Sequence, residues 1–574
     1  VDLSDASSGR LWRQTAPGRF EVTILDDADR PVARITRAYE LKAGRYAIDL
    51  RQSFENLSGR DLSVQWYQLG PGDLPATKIT YGGDVRRLRL GVLEGPTSNP
   101  NGQVVTADKH LIPHQSAVGS PTDAAGLNWT DYTIWPHADA ATAQRRLVWA
   151  GLTNRYFAVA VHAPMSGPGA AKRPDGLPDK SFSLVQTLDR VVLAAKGGFT
   201  PADQIAGAVM ALRLASAPMT VPAGATRDAS MGLYAGPITR AAIDGDPELV
   251  AAGIDGLVIY TYGGPCAFCT FQPITHFLRW FLGFLHNFIV FDWALAVMVL
   301  VVCVRTVLHP VTRWSQTNLQ RFGKQMAAIA PKQQKIREKF ADDPKRMREE
   351  IAKLMREENI NYAGALGCLP MFLQMPIWIA LYAMISFTFE LRHEGAFFGL
   401  VQSVTGGKWI FLGDLAEPDN FIPLGVDIHI PLLSSLMGAI SAVNIIPLLL
   451  GVVFYIQQKY MSPPSTTPLT PEQESQQKIM KVMMVVLFPV FMYNAPSALS
   501  LYFVVNSTLG ILESKWIRQR LEEEDKRIAA LGPKAKQPPK PGFWARLQQQ
   551  VELRQKMLEE QRKQREREQR GRKR

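Results

Sequence analysis

Two hydrophobic rhythms divide this chain. Up to about residue 240, apolar and polar positions alternate, with Phe20, Val22 and Ile24 in one run and Tyr46, Ile48 and Leu50 in another. Tyr156 to Val161 forms a continuous apolar-rich run. A period of two marks strands with one face buried, and Gly, Pro, Asn and Asp clusters such as Asn99 to Gly102 separate them. No regular helical pattern alternates with these strands, so residues 1–240 are expected to form a large antiparallel β-sandwich.

From Phe271 to Phe288 the rhythm becomes helical. Apolar residues fall at 271, 274, 277, 278, 281, 285 and 288, while Gln272, Thr275, His276, Arg279 and His286 fall opposite. Directly before a membrane-length run, this pattern suits a helix lying in the lipid interface, within a linker segment 241–287. A core helix of the preceding domain is the alternative.

Long apolar runs follow. Phe288 to Leu308 spans 21 residues whose only formal charges are Asp292 and Arg305, and Ala365 to Phe387 and Ser434 to Ile456 are each 23 residues without a charge. About 20 residues cross a hydrocarbon core, so 288–308, 365–387 and 434–456 are expected to be membrane helices. Val482 to Leu512 is interrupted by Asn494-Ala495-Pro496-Ser497. It predicts a hairpin of two short arms, 482–493 and 498–512, whose length would thin the bilayer locally.

Basic residues then orient the spans. Arg313 to Glu358 carries 12 Lys and Arg against 7 acids, whereas Glu390 to Gly438 carries only Arg392 and Lys408 against six acids. The first segment is therefore expected in the cytoplasm and the second, with the β-domain, outside it. Asp343-Pro344 supplies an N-cap and a first-turn proline, so 313–358 should be a cytoplasmic helical hairpin that exposes Lys332, Lys335, Arg337, Lys345, Arg346 and Arg348. Met326, Met347 and Met355 would give it either an adaptable docking face or ordinary core contacts.

Of the formal excess of +12, most lies between Lys515 and Arg574, where 19 basic residues face 9 acidic ones. The tail from 521 onward, ending in Arg570, Arg572, Lys573 and Arg574, is expected to be a disordered basic segment that meets ribosomal phosphates or anionic lipid. Val1 has no signal pattern near it, so an external β-domain would require an export signal or anchor helix upstream.

Arg305 is the sharpest chemical signal. A guanidinium at a helix centre costs about 2.5 to 3.5 kcal/mol on insertion scales. Two readings stand: Arg305 snorkels to the nearby basic interface, or it lines a wet cavity. The other spans hold no carboxylate, and Asp292 is thirteen residues away, so no permanent ion-pair partner is expected. Gln374, Tyr382, Tyr502 and Asn506 are the polar residues able to line such a cavity, although each also suits helix-to-helix hydrogen bonding. Cys266 and Cys269 form a lone CxxC with no second pair, which argues against zinc. No P-loop, dinucleotide-binding glycine pattern, nucleophile elbow or HExxH is present, so neither enzyme chemistry, nor a cofactor, nor a small-molecule substrate is expected.

Several of these residues occur together in a recognisable order. Val304-Arg305 precedes His309-Pro310-Val311-Thr312; Leu373-Gln374-Met375-Pro376-Ile377-Trp378 follows; then come Lys459-Tyr460-Met461-Ser462-Pro463, Gln476-Gln477-Lys478-Ile479-Met480 and Pro496-Ser497-Ala498-Leu499. From about Phe271 to Arg520 the chain resembles the YidC insertase family of bacterial inner membranes. The resemblance implies an extracytoplasmic β-supersandwich, then a core of five transmembrane helices over 288–520 with a cytoplasmic helical hairpin. It makes Arg305 the single arginine of a hydrophilic groove, with Gln374, Met375, Trp378, Phe491, Tyr502, Phe503 and Asn506 beside it. It implies nascent membrane proteins and the bilayer as partners, joined by the Sec translocon, ribosomes and targeting factors. A secondary transporter is the main rival, although repeated halves and midplane ion-binding carboxylates are missing from the pattern. A scaffold acting through its β-domain is the third reading.

Overall fold

The computed structural model describes residues 11–76, 84–94, 104–106, 111–119, 131–136, 145–166, 170, 172, 179–194, 207–260, 271–341, 343–358, 369–430, 434, 438–461 and 471–530. Cys266, Cys269 and the tail from 531 to Arg574, including Arg570, Arg572, Lys573 and Arg574, lie outside the described residues.

The alternating N-terminal pattern forms two packed antiparallel sheets. The larger runs in the order Arg13–Ala16, Arg19–Leu25, Pro31–Leu41, Ala47–Asn56, Met231–Pro237, Phe157–His162, Arg146–Thr153, Arg87–Glu94 and Val104–Thr106. Thr226–Asp228 and Leu111–Pro113 add to its flanks. The smaller runs Tyr132–Trp135, Val185–Ala194, Val209–Ser216 and Tyr67–Gly72. Leu88, Leu90, Leu152 and Val161 of the first sheet meet Leu188, Met210, Leu212 and Leu214 of the second in one buried core. The larger sheet turns its other face, with Trp149, Ala158, Ala160 and Tyr234, toward the short helical turns that bury Ile243, Leu249, Ile254 and Leu257. Gly91 makes this packing possible, since a Cβ there would lie 1.9 Å from the Trp149 ring.

Seven longer helical segments follow: α1 (Gln272–Leu285), α2 (Trp293–Lys339), α3 (Pro344–Glu357), α4 (Leu369–Phe387), α5 (Ile445–Met461), α6 (Pro471–Val482) and α7 (Ser497–Ala530). A π-turn over Met483–Leu487 and a last helical turn, Phe488–Phe491, extend α6. By length and composition among the described residues, one stretch, Trp293–Gly323, is long and apolar enough to cross a membrane. Met375–Phe387 and Ile445–Lys459 are shorter apolar helices.

Several boundaries differ from those expected. The run 434–456 divides: Ile440–Val443 is a strand paired with Ile422–Ile428, and the helix begins only at Ile445. An uncharged apolar run does not by itself distinguish strand from helix, and here β-branched Ile440 and Val443 take the extended form. The run 288–308 begins with a π-turn, His286–Val290, and a left-handed Phe291, and its helix then continues unbroken through Pro310 and Pro331 to Lys339. The arms 482–493 and 498–512 are apolar parts of longer helices.

The faces of α1 also differ from the sequence pattern. Thr275, Leu278, Leu282 and Leu285 are buried, and Arg279 pairs with Glu390. Phe277, Trp280 and Phe284 point outward, where their rings stack with one another and with Phe281. Packing on the bundle uses the leucine side, which leaves the aromatic stripe uncovered.

The β-domain and the bundle meet at Phe387, the last residue of α4. Its ring lies under the guanidinium groups of Arg87, at 5.9 Å, and Arg155, at 5.7 Å. Phe389 packs edge-on against Tyr156 and Phe157.

Within the β-domain, His162 is buried and its Nδ1 hydrogen-bonds the Ala163 carbonyl. Burial holds its pKa below the ordinary 6.5, outweighing that bond and the carboxylates of Glu248, Asp49 and Asp246. The fold thus keeps the neutral ring while the unfolded chain takes up a proton. Stability conferred by the neutral ring is complete above about pH 6.5 and declines as pH falls below it, by at most about 1.4 kcal/mol per pH unit. Thermal unfolding followed by near-ultraviolet circular dichroism should show the melting temperature of the wild-type β-domain falling between pH 7 and pH 5. His162→Phe should flatten that dependence, and an unchanged slope in the variant would contradict the assignment.

Candidate functional site

Arg305 lies on α2, about 18 Å from the start of that helix at 1.5 Å per residue. Its Nε donates to Asn506 Oδ1 at 2.8 Å and its Nη1 to Glu513 Oε2 at 3.1 Å. His309, one turn further along α2, holds the other oxygen of the same carboxylate, Nδ1 to Oε1 at 2.7 Å. The side chains of Arg305 and Glu513 are only 19% and 12% exposed, so the pair is largely shielded from solvent. On α7, residues 506, 510 and 513 are four and then three apart and share one face. Gly510 between them leaves the guanidinium room to lie against the helix, since a Cβ there would stand 2.9 Å from Arg305 Nη2.

The expectation that Arg305 has no permanent carboxylate partner is therefore overturned. Glu513 stands one residue beyond the uncharged stretch 482–512, and because α7 continues past that stretch its carboxylate folds back onto Arg305. Snorkelling alone also fails to describe a guanidinium whose donors are directed at α7. The signal that could have found Glu513 was its helical spacing, seven residues and hence about two turns after Asn506.

An aromatic cluster adjoins this polar pair along α7. Phe503, three residues before Asn506, meets Trp378 of α4 edge-on at 5.7 Å, Phe488 at 5.1 Å and Tyr502 at 5.2 Å. Trp378 also contacts Tyr382. Tyr502 and Phe503 are buried, Phe491 is partly buried against the same core, and Met375 is 44% exposed. The side chain of Gln374 lies outside the described residues.

The end of the bundle nearest the β-domain is sealed by buried polar groups. Asp419 accepts from the amides of Ile445 and Ile446 at the start of α5, at 3.1 and 2.7 Å, and from Phe421 N–H. Asn444 donates to the Tyr493 carbonyl at 2.9 Å, Asn494 to the Ala439 carbonyl at 2.8 Å and Ser497 Oγ to the Asp414 carbonyl at 3.1 Å. Leu412 and Leu415 fill the space beneath. Asp292, expected only as a charge inside the first span, is the N-cap of α2: its Oδ1 accepts from Leu295 N–H at 2.8 Å and its Oδ2 from Phe398 N–H at 2.7 Å.

At the far end, α2 and α3 form a hairpin, joined by an ion pair between Lys332 and Glu358. Asp343 caps α3 by accepting from the amides of Lys345 and Arg346, both at 3.1 Å. Lys332, Lys335, Lys345, Arg346 and Arg348 are exposed and Arg337 is half-buried. Ile329 and Leu354 are buried, and Met326, Met347 and Met355 are partly buried. Among the described residues no cluster of three or more His, Cys, Asp or Glu side chains is arranged to hold a metal ion.

The shielded ion pair between α2 and α7, with the aromatic cluster of α4 and α7 beside it and a folded plug at one end, defines a helical bundle with a charged site between its helices. Residues 284–524 match the 60Kd inner membrane protein family. The chain is 30% identical over 337 residues to a membrane protein insertase YidC of Syntrophobacter fumaroxidans, covering 58% of this chain and 52% of that one. It is 32% identical over 306 residues to a YidC of Haemophilus influenzae, covering 53% and 46%. A crystal structure of an active YidC insertase with its first transmembrane domain resolved aligns over 86% of this chain and 78% of that one, at 14% identity and a TM-score of 0.27. The helical part of the chain is thus similar to the 60Kd inner membrane protein family and to YidC insertases. The chain spans about half the length of the relatives it matches.

Because Asp292 joins two elements, its replacement separates two effects. Asp292→Ala should lower unfolding stability by about 2 kcal/mol, through loss of the cap and of the bond to Phe398. Asp292→Asn should recover about half, by keeping an acceptor for Leu295 N–H. Thermal unfolding of the protein in detergent measures both, and equal stability of all three proteins would contradict the role of this cap.

Proposed function

We propose that this protein inserts nascent membrane proteins into a bacterial inner membrane. A passenger's polar end rests beside Arg305 while its apolar segment passes along the surfaces of α4 and α7 into lipid. The observation that carries this reading is the shielded guanidinium between α2 and α7, in a bundle sealed at the end nearest the β-domain. A polar niche lowers the desolvation cost of moving a short hydrophilic segment partway across, and transfer of the apolar segment into lipid supplies the driving force.

In this reading the β-domain lies in the periplasm, and α1 lies in the outer interface with its aromatic stripe among headgroups, the environment that Trp and Phe on such helices favour. The α2–α3 hairpin and the basic tail lie in the cytoplasm, where their cations meet incoming chains, ribosomes or targeting factors. The Sec translocon joins for passengers that need it. Arg305, Asn506, Tyr502, Phe503, Trp378, Met375 and Phe491 receive the passenger, with no chemical step and no cofactor.

Insertion of a short single-span passenger into proteoliposomes by the full-length protein tests this directly. Arg305→Ala should reduce insertion at least several-fold and Arg305→Lys should restore most of it, because the positive charge is the working element. Wild-type insertion by both variants would overturn the reading.

A further inference from the structure

Arg305 is already occupied. A guanidinium meant to receive a passenger's acidic or carbonyl group is bonded to Asn506 and Glu513, and Glu513 is bonded in turn to His309. Two oxygens of one carboxylate thus bridge two cation-capable side chains a single turn apart on α2. We propose that Glu513 is an internal stand-in for the passenger's acidic group, and that exchange of the two carboxylates at Arg305 sets which passengers are accepted. This rests on the reading of Arg305 as the receiving group.

First, two carboxylates brought to one shielded guanidinium repel each other, so an incoming Asp or Glu gains Arg305 only as Glu513 leaves. Second, the exchange keeps Arg305 paired throughout, which spares it the cost of an uncompensated charge among apolar helices. Third, the displaced carboxylate has somewhere to go. Trp516, three residues beyond Glu513, carries Arg520 over its ring at 4.1 Å and Arg313 at 5.9 Å, with His309 packed beside it at 5.6 Å. A Glu513 side chain released from Arg305 keeps His309 and moves toward this cationic group at the hairpin end of the helices.

Charge selection follows. A passenger whose leading segment carries a carboxylate must compete with Glu513, whereas one with a neutral leading segment competes only weakly. Removing the charge at 513 therefore favours acidic passengers selectively, while a merely structural role for Glu513 would alter both kinds alike.

The test uses full-length protein in proteoliposomes and one single-span passenger in two forms, with Asp or with Asn in its leading segment, fitted with a photocrosslinker beside that position. Glu513→Gln should raise the ratio of acidic to neutral crosslinking to the protein by about tenfold, the scale of one charge-assisted contact. Glu513→Asp, which keeps the charge, should stay near the wild-type ratio. His309→Gln, which removes one holder of the carboxylate, should shift it in the same direction as Glu513→Gln but less, and serves if Glu513→Gln fails to fold. An unchanged ratio in Glu513→Gln and His309→Gln, or an equal change for both passengers, overturns the proposal. If Arg305→Ala still impairs insertion in that case, the receiving role of Arg305 survives alone; if Arg305→Ala inserts both passengers normally, both fall.

Discussion

A guanidinium among apolar helices must be solvated by the protein itself, and the packing of α2 on α7 follows from that need. Each shielded donor that lacks an acceptor costs on the order of 1 to 3 kcal/mol, more for a charged group. Asn506 and Glu513 supply acceptors, and Gly510 supplies the space. Those three positions require α7 to remain one continuous helix across the end of the apolar stretch, and it does so from Ser497 to Ala530. The start of α7 is in turn fixed by the plug, where Ser497 bonds to the Asp414 carbonyl and to the Glu417 carbonyl. The ion pair and the seal are thus two ends of one rigid element.

The second mechanical constraint is the junction at Phe387. The Arg87 and Arg155 guanidinium groups, 5.9 and 5.7 Å from the Phe387 ring centroid, join the sheet to α4 through cation–π contact. Arg392 over Tyr156 and Phe157 repeats the device a few residues on. Because Phe387 ends α4, the same helix that presents Trp378 to Phe503 carries the β-domain at its other end. Any tilt of α4 is therefore felt both at the aromatic cluster and at the β-sheet.

Much of this arrangement was legible in the sequence, because it rests on periodicity. Alternation predicts strands where Arg19–Leu25 and Ala47–Asn56 lie, the continuous apolar run from Tyr156 to Val161 predicts one where Phe157–His162 lies, and Asp343-Pro344 marks the start of α3. Arg305, Tyr502, Phe503, Asn506 and Trp378 were singled out, and the structure brings Arg305 to Asn506 and Trp378 to Phe503. What periodicity could not supply was the behaviour of runs without polar punctuation. The uncharged stretch 434–456 held both a strand and a helix, and the boundary is set from outside the run by Asp419 capping α5. The faces of α1 differ from the sequence pattern for a related reason: its hydrophobic side is wider than the surface it packs on, and only tertiary contact decides that the leucines face inward. In the sequence Glu513 does not stand out, because a charge just past an apolar run looks like a membrane boundary rather than a partner.

A permanently open guanidinium would be costly in the resting protein, whereas one neutralised by a well-packed neighbour would bind nothing. An internal carboxylate shared with His309 sits between these limits. It compensates Arg305 at rest, yet its second bond is to a side chain 34% exposed, at the edge where α2 and α7 approach Trp516, Arg313 and Arg520. Partial exposure weakens that anchor relative to a fully buried one, because water can replace the histidine. The resting pair thus holds α2 and α7 together and is most open to water at its His309 end.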